Sequence, residues 1–91
     1  MDLSKRQAYF DLAKELVGRY PHLKFDDHCY WRIALDNTLN NKWKNVIPPP
    51  AYRNLTEEQL DYTLHLLRSY LQDEQLLLEH NKNSLAYRQD N

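Results

Sequence analysis

Phe25-Asp26-Asp27-His28-Cys29-Tyr30-Trp31-Arg32-Ile33-Ala34-Leu35-Asp36-Asn37-Thr38-Leu39-Asn40-Asn41-Lys42-Trp43 is the stretch on which the fold turns. The acidic pair Asp26-Asp27 suits a helix start, since a carboxylate caps free N–H groups and meets the positive end of the helix dipole. Asn40-Asn41 suits its end, where asparagine takes up the left-handed conformation. The expected helix covers 26–41. At helical spacing Tyr30, Trp31, Ile33, Ala34, Leu35 and Leu39 spread over most of its circumference, and a helix apolar on most sides sits centrally or at an interface. His28, Arg32 and Asp36 fall in an i, i+4, i+8 row beside Leu35, Leu39 and Trp43.

Composition narrows the fold class. The 91 residues make one domain, and 42% apolar with 27% charged residues is ordinary for a folded chain. The single glycine, Gly18, excludes Gly-rich phosphate loops of the dinucleotide and P-loop kinds. It also leaves few of the tight turns that β-hairpins favour. The expected class is therefore all-α, a small three- to four-helix bundle with a Pro-rich linker. One cysteine leaves no internal disulfide, the N-terminus shows no apolar leader, and no apolar run is long enough for a membrane. A cytoplasmic protein is expected. The net charge of −1 supplies no field toward nucleic acid.

Working outward, the first helix is expected over 4–19, with Ser4 as N-cap, Gln7 as its capping-box partner and Pro21 preventing continuation. Residues 44–55 read as a linker, with Pro48-Pro49-Pro50 extended and Val46, Ile47 and Tyr52 pinning it to the core. The third helix has the strongest start: Thr56 caps, Gln59 completes a capping box, and Leu55 with Leu60 makes a staple. Leu60, Leu64, Leu67, Leu71 and Leu78 form one stripe, and Tyr62, Leu66, Tyr70 and Leu77 another. The pattern predicts a continuous helix over 56–80, ~36 Å at 1.5 Å per residue. That outruns the other helices, so its end requires cover from a short segment at 84–88 or from a second subunit. Self-association through this helix is expected.

The candidate ligand-binding set is His28, Arg32 and Asp36, with Trp31 and Trp43 as walls. His28 would carry a proton near neutral pH, Arg32 would hold a small anionic ligand, and Asp36 would orient either. The competing structural account pairs Arg32 with Asp36 on the helix surface. Asn37, on the opposite side, is expected to bond backbone in the proline linker. His22, Asp26, Asp27, His28 and Cys29 match no zinc spacing, so no metal is expected, and Cys29 reads as a small core residue. Lys42-Trp43-Lys44 and Arg53 form a weak basic footprint, better read as a solvated rim than as a nucleic-acid surface.

The string His28 to Asn37, followed by Pro50-Ala51-Tyr52-Arg53-Asn54-Leu55-Thr56, resembles a family of short bacterial helical proteins. Some of its members carry a GCN5-related acetyltransferase label. That label implies a mixed sheet and a glycine-containing loop on the cofactor pyrophosphate. Neither is written in this chain, so no cofactor is expected and no cofactor residue is assigned. The functional expectation is a small cytosolic binding or interaction module of unknown ligand that forms a homodimer. The alternatives are a group-transfer enzyme using His28, Arg32 and Asp36, and a nucleic-acid accessory protein.

Overall fold

The computed structural model describes residues 3–89. The chain is all-α: α1 is Leu3–Arg19, α2 Asp27–Leu39, α3 Ala51–Asn54, α4 Glu57–Gln72 and α5 Glu74–Gln89, with no strand among the described residues. Single 3-10 turns stand at Pro21–Leu23 and Trp43–Asn45. No described helix is long and apolar enough to cross a membrane.

α2 lies at the centre and packs on α1, α4 and α5. Its ends follow the sequence. The Asp26 carboxylate accepts from the Cys29 N–H at 3.0 Å, and Asn40 closes the helix in the left-handed region at φ 53°. Tyr30, Ile33 and Ala34 are buried among Leu16 of α1, Leu67 and Tyr70 of α4 and Leu77 of α5, and Leu35 is buried beside the cleft described below. The Thr56–Gln59 capping box opens α4 as expected. At α1 the helix already contains Leu3, so Ser4 lies in its first turn, and Gln7 bonds Asp11 at 2.9 Å. The linker is not wholly extended, because its end folds into α3, and Val46 is exposed.

The main correction concerns the expected helix over 56–80. It breaks at Asp73, whose backbone is extended at φ −148° and ψ 93°. The Asp73 carboxylate accepts from the Leu76 N–H at 3.0 Å and its carbonyl from the Leu77 N–H at 3.2 Å, so Asp73 caps a new helix. The break frees carbonyls at the end of α4. The Tyr20 hydroxyl donates to the Tyr70 carbonyl at 2.6 Å and reaches that of Leu71 at 3.3 Å. α5 then runs beside α2 in the same sense: Arg32 bonds Asn81 and Ser84, Asp36 bonds Ser84 and Arg88, and Tyr87 bonds Asn40. Leu66, Tyr70 and Leu77 are buried within the chain itself, while Tyr62 of the same stripe is 49% exposed.

One buried group stands apart. The Tyr30 hydroxyl has no hydrogen-bond partner among the described residues, and burial pushes its pKa up to about 12. Tyr30→Phe should therefore stabilise the fold by about 1 kcal/mol, since it removes a desolvated donor and no hydrogen bond. Urea unfolding checks this, and a loss of stability would show that the hydroxyl has a partner in solution.

Candidate functional site

Asp36 is fully buried, and four donors converge on its two oxygens. Ser84 Oγ donates at 2.7 Å and Arg88 Nε at 2.8 Å to Oδ2, while Arg88 Nη2 at 3.2 Å and the Trp43 N–H at 3.0 Å reach Oδ1. A buried carboxylate needs such compensation, and a two-pronged guanidinium contact with further N–H and O–H donors is its strongest form. Ser84 and Arg88 stand one turn apart on α5, so both reach the same carboxylate.

Arg32 does not bond Asp36. Its Nη1 donates to Ser84 Oγ at 2.8 Å and its Nη2 to Asn81 Oδ1 at 2.9 Å. Ser84 thus accepts from Arg32 and donates to Asp36, joining the two through one hydroxyl. The Arg32 partners are both neutral, and no carboxylate of the described residues stands within ion-pair distance of its guanidinium. Its positive charge is held in place without being cancelled.

The His28 side chain is 83% exposed, and its Nδ1 lies 2.8 Å from Asp27 Oδ1. The imidazole leans edge-on against Trp31, with centroids 5.3 Å apart. The expected row is thereby dispersed: Asp36 is beneath the surface, Arg32 is turned to α5, and His28 faces solvent. An acid–base site built from these three residues is not what the fold assembles. The surface Arg32–Asp36 pair is also absent, replaced by an interhelical seam.

The seam continues on its other side. Asn37 Nδ2 donates to the Ile33 carbonyl at 2.7 Å and the His80 carbonyl at 2.9 Å, and Asn83 Nδ2 donates back to Asn37 Oδ1 at 3.2 Å. Asn37 is structural, but its partner is α5 and not the proline linker.

Beside the seam opens a cleft of about 600 Å³. His28, Trp31, Arg32 and Trp43 all line it; Asp36 does not, and acts from below through Arg88 and Trp43. Trp31 stacks on Tyr9 with centroids 5.1 Å apart and planes 1° from parallel, and its Nε1 donates to the Tyr9 carbonyl at 2.9 Å. Phe10 meets Trp31 edge-on, and Tyr52 of α3 packs against Phe10 and Tyr9. Trp43 differs, with no aromatic neighbour among the described residues. Only the exposed Lys44 Nζ lies over its ring, 5.6 Å from the centroid. Arg88, Tyr9, Phe10 and Tyr52 are wall residues that sequence reasoning missed. The i, i+4 spacing of Ser84 and Arg88 was the available signal for the first.

Cys29 is half-buried on the cleft wall and not in the core. Asp26, Asp27 and His28 have potential ligand atoms within 4.8 Å of one another. Their carboxylates already accept from the N–H groups of Cys29 and His28, and the Cys29 N–H holds the Asp26 carboxyl below its ordinary range. The cluster is a helix cap.

His80, on α5, lies with Nδ1 2.8 Å from the Tyr70 hydroxyl. Burial lowers its pKa from the usual 6.5, partly opposed by Glu79. A histidine depressed in the folded state binds its proton more readily when unfolded. Its contribution to stability is full above about pH 6.5 and is lost as pH falls through the folded value. Urea unfolding over about pH 5 to 8 should show this acid-side loss, with a smaller slope in His80→Gln. An identical slope in that variant would assign the loss to other groups.

Compared with known proteins, the chain matches no family model, no curated protein and no solved structure at a significant level. The resemblance seen in the sequence therefore brings no residue role with it, and function must be argued from the cleft.

Proposed function

We propose that this chain is a small cytoplasmic binding module whose aromatic cleft takes a small anionic ligand. The observation that carries it is the Arg32 guanidinium, oriented by two neutral oxygens at the wall of a ring-lined cleft of about 600 Å³. A concave, mostly apolar cavity with a few fixed polar groups is the usual form of a ligand site. Lys44 adds a second cation at the rim. The lack of a disulfide fits a reducing compartment. Self-association is not part of this proposal.

A thermal-shift screen of small organic anions against neutral analogues tests the reading. A ligand at ten times its Kd stabilises by ~1.4 kcal/mol, or about 6–11 °C in Tm for a domain of this size. Anions should shift Tm where neutral analogues do not, and Lys44→Ala should weaken the shift without altering the unliganded Tm. A panel in which charge makes no difference would sink the proposal.

A further inference from the structure

We infer that the ligand is a flat aromatic monocarboxylate, gripped by Arg32 and stacked on Trp43. The inference rests on the cleft being a ligand site and adds the class of molecule it fits.

Arginine has five N–H donors. Arg32 spends two, on Ser84 and Asn81, and three remain for an incoming acceptor. Its fork is already fixed, so little side-chain entropy is lost when an anion arrives. A planar carboxylate matches that fork with two parallel hydrogen bonds.

Phosphate is favoured less, for two reasons. The N–H groups at the start of α2, which border the cleft, are those that would cradle a phosphate. The carboxylates of Asp26 and Asp27 already occupy the Cys29 and His28 N–H groups. The charge balance also suits a single negative charge. Among the fixed charges, Arg32, Lys44 and Arg88 line the cleft against Asp26 and the underlying Asp36, a surplus of one cation. A dianion would leave an excess negative charge in a partly desolvated cleft.

The flat body follows from Trp43. Trp31 is committed to Tyr9 and Phe10, and Tyr52 to Phe10 and Tyr9, whereas Trp43 has no ring neighbour among the described residues. Its backbone N–H is anchored to Asp36, so the ring is positioned beside the buried seam, and what lies over it is the exposed, flexible Lys44 side chain, which a stacked ring can displace. Stacking between flat rings adds to area burial in such a place.

The test titrates the full chain with benzoate, benzamide and phenyl phosphate and follows its two indole N–H signals by NMR, assigned with Trp43→Phe. Benzoate should shift the Trp43 signal saturably, while benzamide, which cannot pair with the fork as an anion, binds about tenfold or more weakly. Phenyl phosphate should also bind more weakly than benzoate. Lys44→Glu, at an exposed position, should weaken benzoate about tenfold, and Arg32→Gln should abolish saturable binding. Should Arg32→Gln fail to fold, Lys44→Glu carries the test, and unchanged benzoate binding in it overturns the inference. Benzamide or phenyl phosphate equalling benzoate at the same signals overturns the carboxylate and leaves the cleft a ligand site. Silence of both indole signals toward all three probes overturns the inference, and if the anion panel also gives no thermal shift the cleft reading falls with it.

Discussion

Asp36→Ala is expected to destabilise the protein by about 3–5 kcal/mol, because it strands a guanidinium, a hydroxyl and a backbone N–H that now share one buried carboxylate. Arg88, Ser84 and Trp43 would lose their partner together. A domain of this size has a total stability of only about 5–15 kcal/mol, so Tm should fall by more than about 10 °C. Arg88→Ala should cost a comparable amount, since it leaves the carboxylate buried without its counter-charge. Arg32→Ala should cost only about 1 kcal/mol, because its two partners are neutral and Ser84 keeps its bond to Asp36. Asp36→Leu with Arg88→Met should recover much of the loss, as apolar pairs of similar volume commonly replace buried ion pairs. Urea unfolding of the singles and the double gives the coupling directly. A loss under about 1 kcal/mol for Asp36→Ala would contradict the buried seam. Trp43 is tied to the same carboxylate, so the variant should also loosen one wall of the cleft before it unfolds the bundle.

The bundle itself was legible because its signals are local. Asp26, Asn40 and the Thr56–Gln59 box act within a turn of where they stand, and the apolar circumference of α2 follows from residue order alone. Four of the five candidate residues do meet in one cleft, since His28, Trp31, Arg32 and Trp43 lie on or just past one helix. What was not legible is which element α2 faces. Arg32 and Asp36 looked like partners because they share a helix face, yet each finds a better partner on α5, some fifty positions away. Arg88 was read as part of a covering tail, and nothing near it in sequence marks it as the counter-ion of a buried acid. The Asp73 break was legible in principle. Aspartate is a poor interior helix residue and a good N-cap, but the leucine spacing continues past it into Leu77 and Leu78. Periodicity persisted because Leu76, Leu77 and Leu78 stand in the first turn and a half of α5, directly after the break, not because one helix continues.

That ambiguity gives the second large effect. Leu77 is fully buried and Leu78 is 43% exposed. A continuous helix over 56–80 would put Leu78 in register with Leu60, Leu64, Leu67 and Leu71, and would give it the larger role. With the break at Asp73, α5 turns Leu77 toward Tyr70 and α2 and leaves Leu78 outside. Leu77→Ala should therefore cost about 2–5 kcal/mol through lost burial and the cavity left behind, while Leu78→Ala should stay within about 0.5 kcal/mol. The ratio is informative because the residues are neighbours with the same side chain and near-equal helix propensity loss. Asp73→Ala separates the break from the packing. It removes the cap on α5 but permits a straight helix, so it should cost about 1 kcal/mol. A gain in stability there, together with Leu78→Ala exceeding Leu77→Ala, is the result that would restore the straight helix. Under that result Tyr20 would also have no freed carbonyl to satisfy, and Tyr20→Phe would become neutral instead of costing about 1 kcal/mol.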